Sequence, residues 1–329
     1  MPDTRKFILR LSIVIIVLVF IAGCEPAKKK DNSVRLYVDA VSLAGSNEPN
    51  QAIDKLRQAI NTNPRFAMAY SLLGSIYFQQ NKLYESSQAY QRATQINPWS
   101  YEDFRDLGRV YRMMEDFNSA ARAYAKACQL DPQSSESLCA AADSYYKLGD
   151  YESALQYGQS ARGLAPSDSE VEKLLGDIYT ARQDNDLAVE SYKRAIELKN
   201  DDPNLKISLS VVYLRAEQYD SAKQLLESVA LVEPLNAEVW RHLGFVYLKL
   251  NETDLSIGNY LRAVALAPDD WRGHKGLGVA YMMKYKALKD IEDPNAADFR
   301  TRALSHWSRS LDLNPAQDKL LKLYRKYTK

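Results

Sequence analysis

Three arginines are the residues whose type and spacing most clearly suggest binding chemistry: Arg105, Arg109 and Arg112. They are spaced i, i+4, i+7, so on a helix they share one face. A guanidinium group binds a carboxylate through two parallel hydrogen bonds, which predicts a surface for acidic groups or a chain's C-terminus. Asp143 and Asp177 follow Arg109 at successive intervals of 34 residues. The alternative interpretation is therefore a ladder of salt bridges between neighbouring elements.

Catalytic and metal-binding patterns are missing from the sequence. The chain has three histidines, His242, His274 and His306, and their spacing fits no known metal site. A glycine cluster at 273–278 suggests a nucleotide loop, but it falls inside a predicted helix with no strand before it. No zinc-protease motif or serine nucleophile elbow is present. We therefore expect no enzyme activity, no cofactor, no metal and no small-molecule substrate.

The charge balance argues against a nucleic-acid partner. Lys and Arg number 43 and Asp and Glu number 42, so the formal net charge is +1. A protein that binds nucleic acid through phosphate contacts needs a basic excess or stripe. Proteins or peptides are the expected partners instead.

The elements that must position these side chains form a repeat. Tyrosines and prolines recur along the chain with a period of 34 residues. The tyrosines are Tyr77, Tyr111, Tyr145, Tyr179, Tyr213, Tyr247 and Tyr281. The prolines are Pro64, Pro98, Pro132, Pro166, Pro234 and Pro268. A fixed period of this length is typical of stacked supersecondary units.

Small residues occupy further fixed columns when repeats start at 33, 67, 101, 135, 169, 203, 237 and 271. Position 8 holds Ala40, Gly74, Gly108, Ala142, Gly176, Ser210, Gly244 and Gly278. Position 20 holds Ala52, Ser86, Ala120, Ala154, Ala188, Ala222, Ser256 and, after an insertion, Ala303. Small side chains allow two helices to approach closely where they cross, and added methylenes there would cost about 1 to 3 kcal/mol.

This pattern resembles the tetratricopeptide repeat family. The third repeat carries it most completely, with Phe104, Leu107, Gly108, Tyr111, Ala120, Tyr124, Ala127 and Pro132. The resemblance covers residues 33–315. It implies an all-α fold, a right-handed α-α superhelical solenoid of about eight helix pairs, here with a C-terminal capping helix at 316–329. It also implies a protein-binding function.

The last repeat contains an insertion near 284–300. Tyr281 and Ala303 are 22 residues apart, where the register requires 9. We predict that both helices of this repeat are lengthened, with Asp293 as the N-cap and Pro294 as the first residue of the second helix. The added segments either project beyond the stack or seal its end. Leu320, Leu321 and Tyr324 of the terminal helix are expected to cover the last apolar face.

In the resembled family the concave wall is built by the first helix of each repeat, from positions 2, 5, 9 and 12. Arg105, Arg109 and Arg112 fall in these columns. In the C-terminal half the same columns hold apolar residues: Ile207, Val211, Leu214, Phe245, Leu248, Val279 and Met282. Apolar side chains on a solvated wall predict a groove for an apolar peptide or helix. The alternative is that they fill a tightly curved interior.

The first 23 residues have the features of an export signal. Arg5, Lys6 and Arg10 precede an apolar run at 11–22, which is short for a membrane-spanning helix. The segment Ile21–Cys24 resembles the lipobox of bacterial lipoproteins. That resemblance implies cleavage before Cys24, diacylglycerol on its thiol, palmitate-type acylation and a polar tether at 24–32. An uncleaved anchor with an incidental cysteine is the alternative.

Two questions of placement and chemistry stay open at this stage. Glu25 in place of Asp favours the outer membrane, facing the periplasm, by resemblance to enterobacterial lipoproteins. Cys128 and Cys139 lie on consecutive predicted helices, so a disulfide is possible in an oxidising compartment. Two separately buried thiols are the alternative.

The function expected from these features is that of a membrane-anchored scaffold or adaptor. Such a lipoprotein would collect the subunits of a cell-envelope machine of the pilus, secretion or polysaccharide-export type. The first alternative is a regulatory subunit that controls a cell-wall or envelope enzyme. A self-associating structural protein is a further possibility.

Overall fold

The computed structural model describes residues 27–199 and 202–328, and within these ranges the chain is helical without a strand. The all-α prediction is thereby confirmed, and consecutive helices pack as antiparallel pairs. The signal segment and Cys24 lie outside the described residues. The chain divides into two compact units at Leu164 and Ala165.

The first unit contains four helix pairs. Its helices are α1 (Ala27–Gly45), α2 (Pro49–Thr62), α3 (Ala67–Gln79), α4 (Leu83–Ile96), α5 (Tyr101–Met113), α6 (Phe117–Leu130), α7 (Ser135–Leu148) and α8 (Tyr151–Leu164). Helix α1 begins at Ala27, within the segment predicted as a tether. Its buried side packs on the first core cluster through Ala40 and the partly buried Tyr37.

The second unit contains four further pairs and a terminal helix. Its helices are α9 (Ser169–Arg182), α10 (Asn185–Leu198), α11 (Pro203–Arg215), α12 (Tyr219–Val232), α13 (Ala237–Lys249), α14 (Thr253–Leu266), α15 (Trp271–Asp290), α16 (Ala296–Leu313) and α17 (Asp318–Thr328). The part of the chain that the structure describes includes no helix long and apolar enough to cross a membrane.

In each of the first seven pairs, the turn between the two helices is made by one residue in the left-handed backbone region. These residues are Asn47, Asn81, Glu115, Gly149, Gln183, Glu217 and Asn251, with φ between 57° and 83°. They are 34 residues apart, so this turn conformation recurs with the same period as the tyrosines. A left-handed residue ends a helix and redirects the chain, and glycine does so without steric cost. Six of the seven positions carry a side chain.

In four pairs, the two helices meet where a glycine backbone lies against a tyrosine ring. The four glycines at position 8 that do so face a tyrosine sixteen residues later, and a Cβ on any of them would lie 2.7 to 3.0 Å from the nearest ring atom. The pairs are Gly74 with Tyr90, Gly108 with Tyr124, Gly176 with Tyr192 and Gly244 with Tyr260. The fourth repeat inverts this arrangement, with Ala142 at position 8 and the buried Gly158 in the aromatic column.

The insertion lengthens both helices of the last pair, as predicted, to 20 residues in α15 and 18 in α16. The predicted N-cap is wrong: α16 begins at Ala296 after Asn295. Pro294 lies in the turn, because the Asp293 carboxylate accepts a hydrogen bond from the Asn295 amide at 2.8 Å and closes a short loop there. The proline therefore precedes the helix instead of opening it.

Helix α17 covers the end of the last pair. Leu320 is buried, and the Gln317 amide donates to the Ser310 carbonyl at 2.9 Å. The Arg300 guanidinium, in the added part of α16, donates through Nε to the Tyr327 carbonyl at 3.0 Å. These contacts support the interpretation that the lengthened pair and α17 seal the unit.

Candidate partner-binding surface

The predicted acid-binding arginines lie on α5, and each of them is ion-paired. Arg105 Nη2 lies 3.0 Å from Asp106 Oδ1, and Arg109 Nη1 lies 3.7 Å from the same oxygen. Asp106 is the residue next to Arg105 and was not singled out in the sequence. Its carboxylate occupies the space between the two guanidinium groups.

Two further ion pairs connect α5 to α7 of the next pair. Arg109 Nη2 lies 3.5 Å from Glu136 Oε1, and Arg112 Nη1 lies 3.7 Å from Asp143 Oδ2. All of these side chains are at least partly exposed, so each pair contributes little to stability. Asp143 thus forms part of the predicted salt-bridge ladder, whereas Asp177 binds Lys173 and the Tyr192 hydroxyl within its own helix pair. An acidic partner would have to displace these carboxylates.

The apolar columns of the second unit divide into buried and half-exposed residues. Ile207 is 8% exposed and Met282 is 4% exposed, so the prediction that these two contact a partner is wrong. Met282 belongs to the core cluster around Leu277 and Tyr281, because the lengthened α15 and α16 enclose its side chain. Ile207 is buried near the start of α11.

Five residues of these columns remain half-exposed and form what we call the apolar A-face. They are Val211, Leu214, Phe245, Leu248 and Val279. Three of them, Phe245, Leu248 and Val279, pack with one side against the C-terminal core cluster. Lys249 Nζ lies 5.6 Å from the Phe245 ring centroid, which places a positive charge at the edge of the face. The A-face is therefore an apolar surface whose side chains are held in place by the core beneath them.

A second apolar surface was missed in the sequence. Leu231 is 86% exposed, Val232 is 70% exposed and Leu235 is 79% exposed, and we call these three residues the 231–235 patch. They lie at the end of α12 and in the turn that follows. Beside them, Trp240 Nε1 donates to the Pro234 carbonyl at 2.9 Å, and the Arg262 guanidinium stacks 3.8 Å above the indole.

A signal for this patch was present in the repeat register. The position of Leu231 holds a polar or small residue in the other repeats outside the insertion: Asn61, Gln95, Gln129, Gly163, Glu197 and Ala265. A large apolar residue in a column of polar and small residues marks exposed apolar area, which in soluble proteins often belongs to an interaction site.

Comparison with known proteins agrees with this architecture. Tetratricopeptide repeat models match residues 37–99, 105–169, 139–203 and 179–244, together more than half of the chain. The chain belongs to the tetratricopeptide repeat family. No curated protein sequence matches it.

Solved tetratricopeptide repeat structures share the fold at low identity. A chain of the APC/C hetero-tetramer Cut9-Hcn1 is 19% identical, with a TM-score of 0.56 over 94% of this chain and 58% of that chain. The C-terminal part of a TPR repeat-containing protein from Cytophaga hutchinsonii is 15% identical, with a TM-score of 0.60 over 76% and 97%. PilF of Pseudomonas aeruginosa is 21% identical, with a TM-score of 0.51 over 63% and 94%. This chain spans less than two thirds of the Cut9-Hcn1 chain.

Cys128 and Cys139, the two cysteines in the described part of this tetratricopeptide repeat protein, are not joined by a disulfide. Cys128 is buried, and burial raises the pKa of its thiol to about 11, so it is a poor nucleophile at neutral pH. A cleft of about 330 Å³ lies beside it, lined by Cys128, Leu138 and Tyr157 among others. The Tyr157 ring stacks on Tyr145 with centroids 5.5 Å apart. Aromatic rings therefore pack this part of the first unit.

The histidines likewise have structural partners. His274 Nδ1 and His306 Nδ1 are 3.0 Å apart, and His274 Nε2 lies 3.0 Å from the Pro268 carbonyl oxygen. Among residues 27–199 and 202–328, no group of three or more His, Cys, Asp or Glu side chains is arranged to hold a metal ion.

Proposed function

We propose that this protein is a lipid-anchored scaffold that binds protein subunits of a cell-envelope assembly, with partners docking on the apolar A-face of the second unit. Tetratricopeptide repeats are protein-interaction modules, which supports the scaffold role. The observation that carries the proposal is the A-face itself. Its five half-exposed apolar side chains lie on a rigid helical support, and none of the described residues covers them completely.

Anchoring is proposed from the sequence. The basic start, the short apolar run and the segment Ile21–Cys24 together support export, cleavage before Cys24 and acylation of its thiol. Each buried methylene of an acyl chain contributes about 0.8 kcal/mol, so several chains would hold the protein at the membrane. Glu25 supports placement in the outer membrane, facing the periplasm.

Partner capture tests the docking surface. Cross-linking in cells, followed by purification and identification of the linked proteins, should be compared between the native sequence and a Leu214→Glu, Phe245→Glu variant. We expect at least a tenfold loss of capture, because two carboxylates on the A-face would be desolvated on binding. Leu255→Glu is the control for added charge, since it places a carboxylate on an exposed leucine of α14 outside the A-face.

A parallel variant separates the two apolar surfaces. Leu231→Ser with Leu235→Ser removes most of the 231–235 patch and should leave capture unchanged. Loss of capture in this variant alone would move the docking site to the patch and disprove the A-face proposal. All variants should keep one cooperative thermal transition by circular dichroism.

The nature of the captured proteins distinguishes a scaffold from a regulator. Several structural components of one assembly would support the scaffold. A single hydrolase or synthase, with activity that changes on adding this protein, would support the regulatory alternative. Concentration-dependent mass in solution would indicate self-association.

A further inference from the structure

The first helix carries an exposed apolar stripe. Val34 is 45% exposed, Val38 is 58% exposed and Val41 is 45% exposed. Their spacing of four and three residues places them on one face of α1. Surface valines that are scattered need no explanation, but three in a row on one helical face form a continuous apolar strip.

This stripe is distinct from the side of α1 that joins the core. Ser33 and Ala40 are fully buried, and the Tyr37 ring lies 5.3 Å from the Phe66 ring. These residues lie on the face turned toward α2 and α3. No helix pair among the described residues precedes α1, and each of the three valines stays at least 45% exposed within the described part of the chain.

The position of the stripe in the chain indicates what covers it. Helix α1 begins at Ala27, three residues after Cys24 in the sequence, so a lipid on Cys24 would lie close to the start of this helix. With a rise of about 1.5 Å per residue, Val38 lies roughly 16 Å along the helix from Ala27. A lipid on Cys24 would therefore hold the stripe close to the bilayer surface.

The charge pattern next to the stripe favours the same occupant. Lys28, Lys29 and Lys30 stand between Cys24 and the first valine, and a run of lysines beside an anchor is attracted to anionic headgroups. Asp39 on the same helix is 3.9 Å from Lys55, which offsets its charge. A second copy is a poorer fit, because a stable interface buries about 800 Å² per partner and three half-exposed valines supply far less.

We propose that α1 lies on the membrane surface with Val34, Val38 and Val41 in the headgroup and acyl boundary, next to the lipid on Cys24. The inference rests on the lipidation in the proposed function. Tethering makes a small apolar strip sufficient, because the anchor turns docking of α1 into an intramolecular step. The lipid and the stripe together would fix the orientation of the first unit against the bilayer, which a flexible tether alone would not do.

Site-directed spin labelling tests the inference on the full lipidated protein. Cys128 and Cys139 are replaced by alanine, and a nitroxide is placed by Val38→Cys or, as a control on exposed α2 surface, by Asp54→Cys. The proteins are reconstituted in vesicles of phosphatidylethanolamine and phosphatidylglycerol. We expect the label at 38 to be more accessible to oxygen than to a water-soluble nickel chelate, and the label at 54 to show the reverse.

The outcomes separate this inference from the anchor itself. The mass of the N-terminal peptide reports lipid on Cys24 directly, and its absence would overturn the anchor and this inference together. Lipid on Cys24 with an aqueous signal at 38 would overturn the inference alone. Dipolar broadening at 38 that disappears on dilution with unlabelled protein would assign the stripe to a second copy and also overturn it.

Discussion

The backbone of Gly278 lies directly against the indole ring of Trp307. A Cβ at position 278 would be 2.6 Å from the indole Nε1, closer still to Cδ1, and 3.0 Å from the Ala303 carbonyl oxygen. The same contact joins Gly244 to Tyr260 in the preceding repeat. The insertion in the last repeat therefore changes the sequence spacing of the contact and preserves the contact itself.

Replacing this glycine should destabilise the second unit. Gly278→Ala places a methyl group inside the van der Waals envelope of both the ring and a backbone carbonyl, so α15 and α16 must separate. Overpacking of this kind costs about 1 to 3 kcal/mol. Urea unfolding followed by circular dichroism measures the change.

The matched control is Gly258→Ala in α14. No atom lies within 4 Å of a Cβ at this exposed helical position, so the substitution should stabilise the protein by about 0.5 to 1 kcal/mol through helix propensity. Equal effects of the two substitutions would contradict close packing at Gly278.

A buried ion pair joins α9 to α10. Glu172 is 1% exposed, and its Oε1 lies 3.1 Å from Arg194 Nε. Arg194→Ala would leave the carboxylate buried without this partner and should cost about 2 to 3 kcal/mol, below the 3 to 5 of fully buried pairs because the arginine is half-exposed. The double variant Glu172→Leu, Arg194→Ala should recover most of the loss in the same urea titration. A double variant no more stable than Arg194→Ala would refute the explanation.

The histidine pair predicts a loss of stability at mildly acid pH. Burial and the neighbouring His274 lower the pKa of His306 from its ordinary value of 6.5. The unfolded chain therefore binds a proton at His306 before the folded protein does, and stability falls as pH drops below about 6.5. His306→Phe should reduce this loss and leave pH 8 behaviour little changed. The measurement is the urea midpoint of unfolding at pH 8.0 and at pH 5.5. An equal drop in midpoint between these two pH values in the variant and the native protein would count against a role of the histidine pair.

The ion pairs of Arg109 and Arg112 should contribute little to the free energy of unfolding and nothing to partner binding. A double-mutant cycle on Arg112 and Asp143 should give a coupling energy of at most about 1 kcal/mol, because both side chains are exposed to solvent. Capture of partners in cells should survive Arg109→Ala with Arg112→Ala. A strong and salt-sensitive loss of capture would revive the acid-binding prediction.

The repeat made the fold predictable, since tyrosine, proline and small-residue columns specify helix pairs before any coordinate is known. The seven left-handed turn residues were not predicted. Only Gly149 among them is a residue type that adopts a positive φ without steric cost. The other six positions hold Asn, Gln or Glu, which from the sequence alone look like ordinary polar surface residues. The start of α16 was misplaced for a similar reason: Asp293 has the chemistry of an N-cap, and its carboxylate closes a turn one step earlier.

The candidate surface was less predictable than the fold. Column positions identify which residues share a helix face, but exposure depends on how closely neighbouring pairs pack. Met282 became buried because the insertion lengthened the helices around it, and no local pattern encodes that. The 231–235 patch could have been found at Leu231, which is a large apolar residue in a column of polar and small residues.

Helix α17 also determines how the array can grow. By burying Leu320 and bonding Gln317 to Ser310, it occupies the place where a ninth repeat would begin. New repeats grafted after Leu313 would first have to displace it, whereas duplication of an internal pair would meet two compatible neighbours. Changes in the length of such a chain during evolution should therefore arise by internal duplication, with its final helix carried along unchanged.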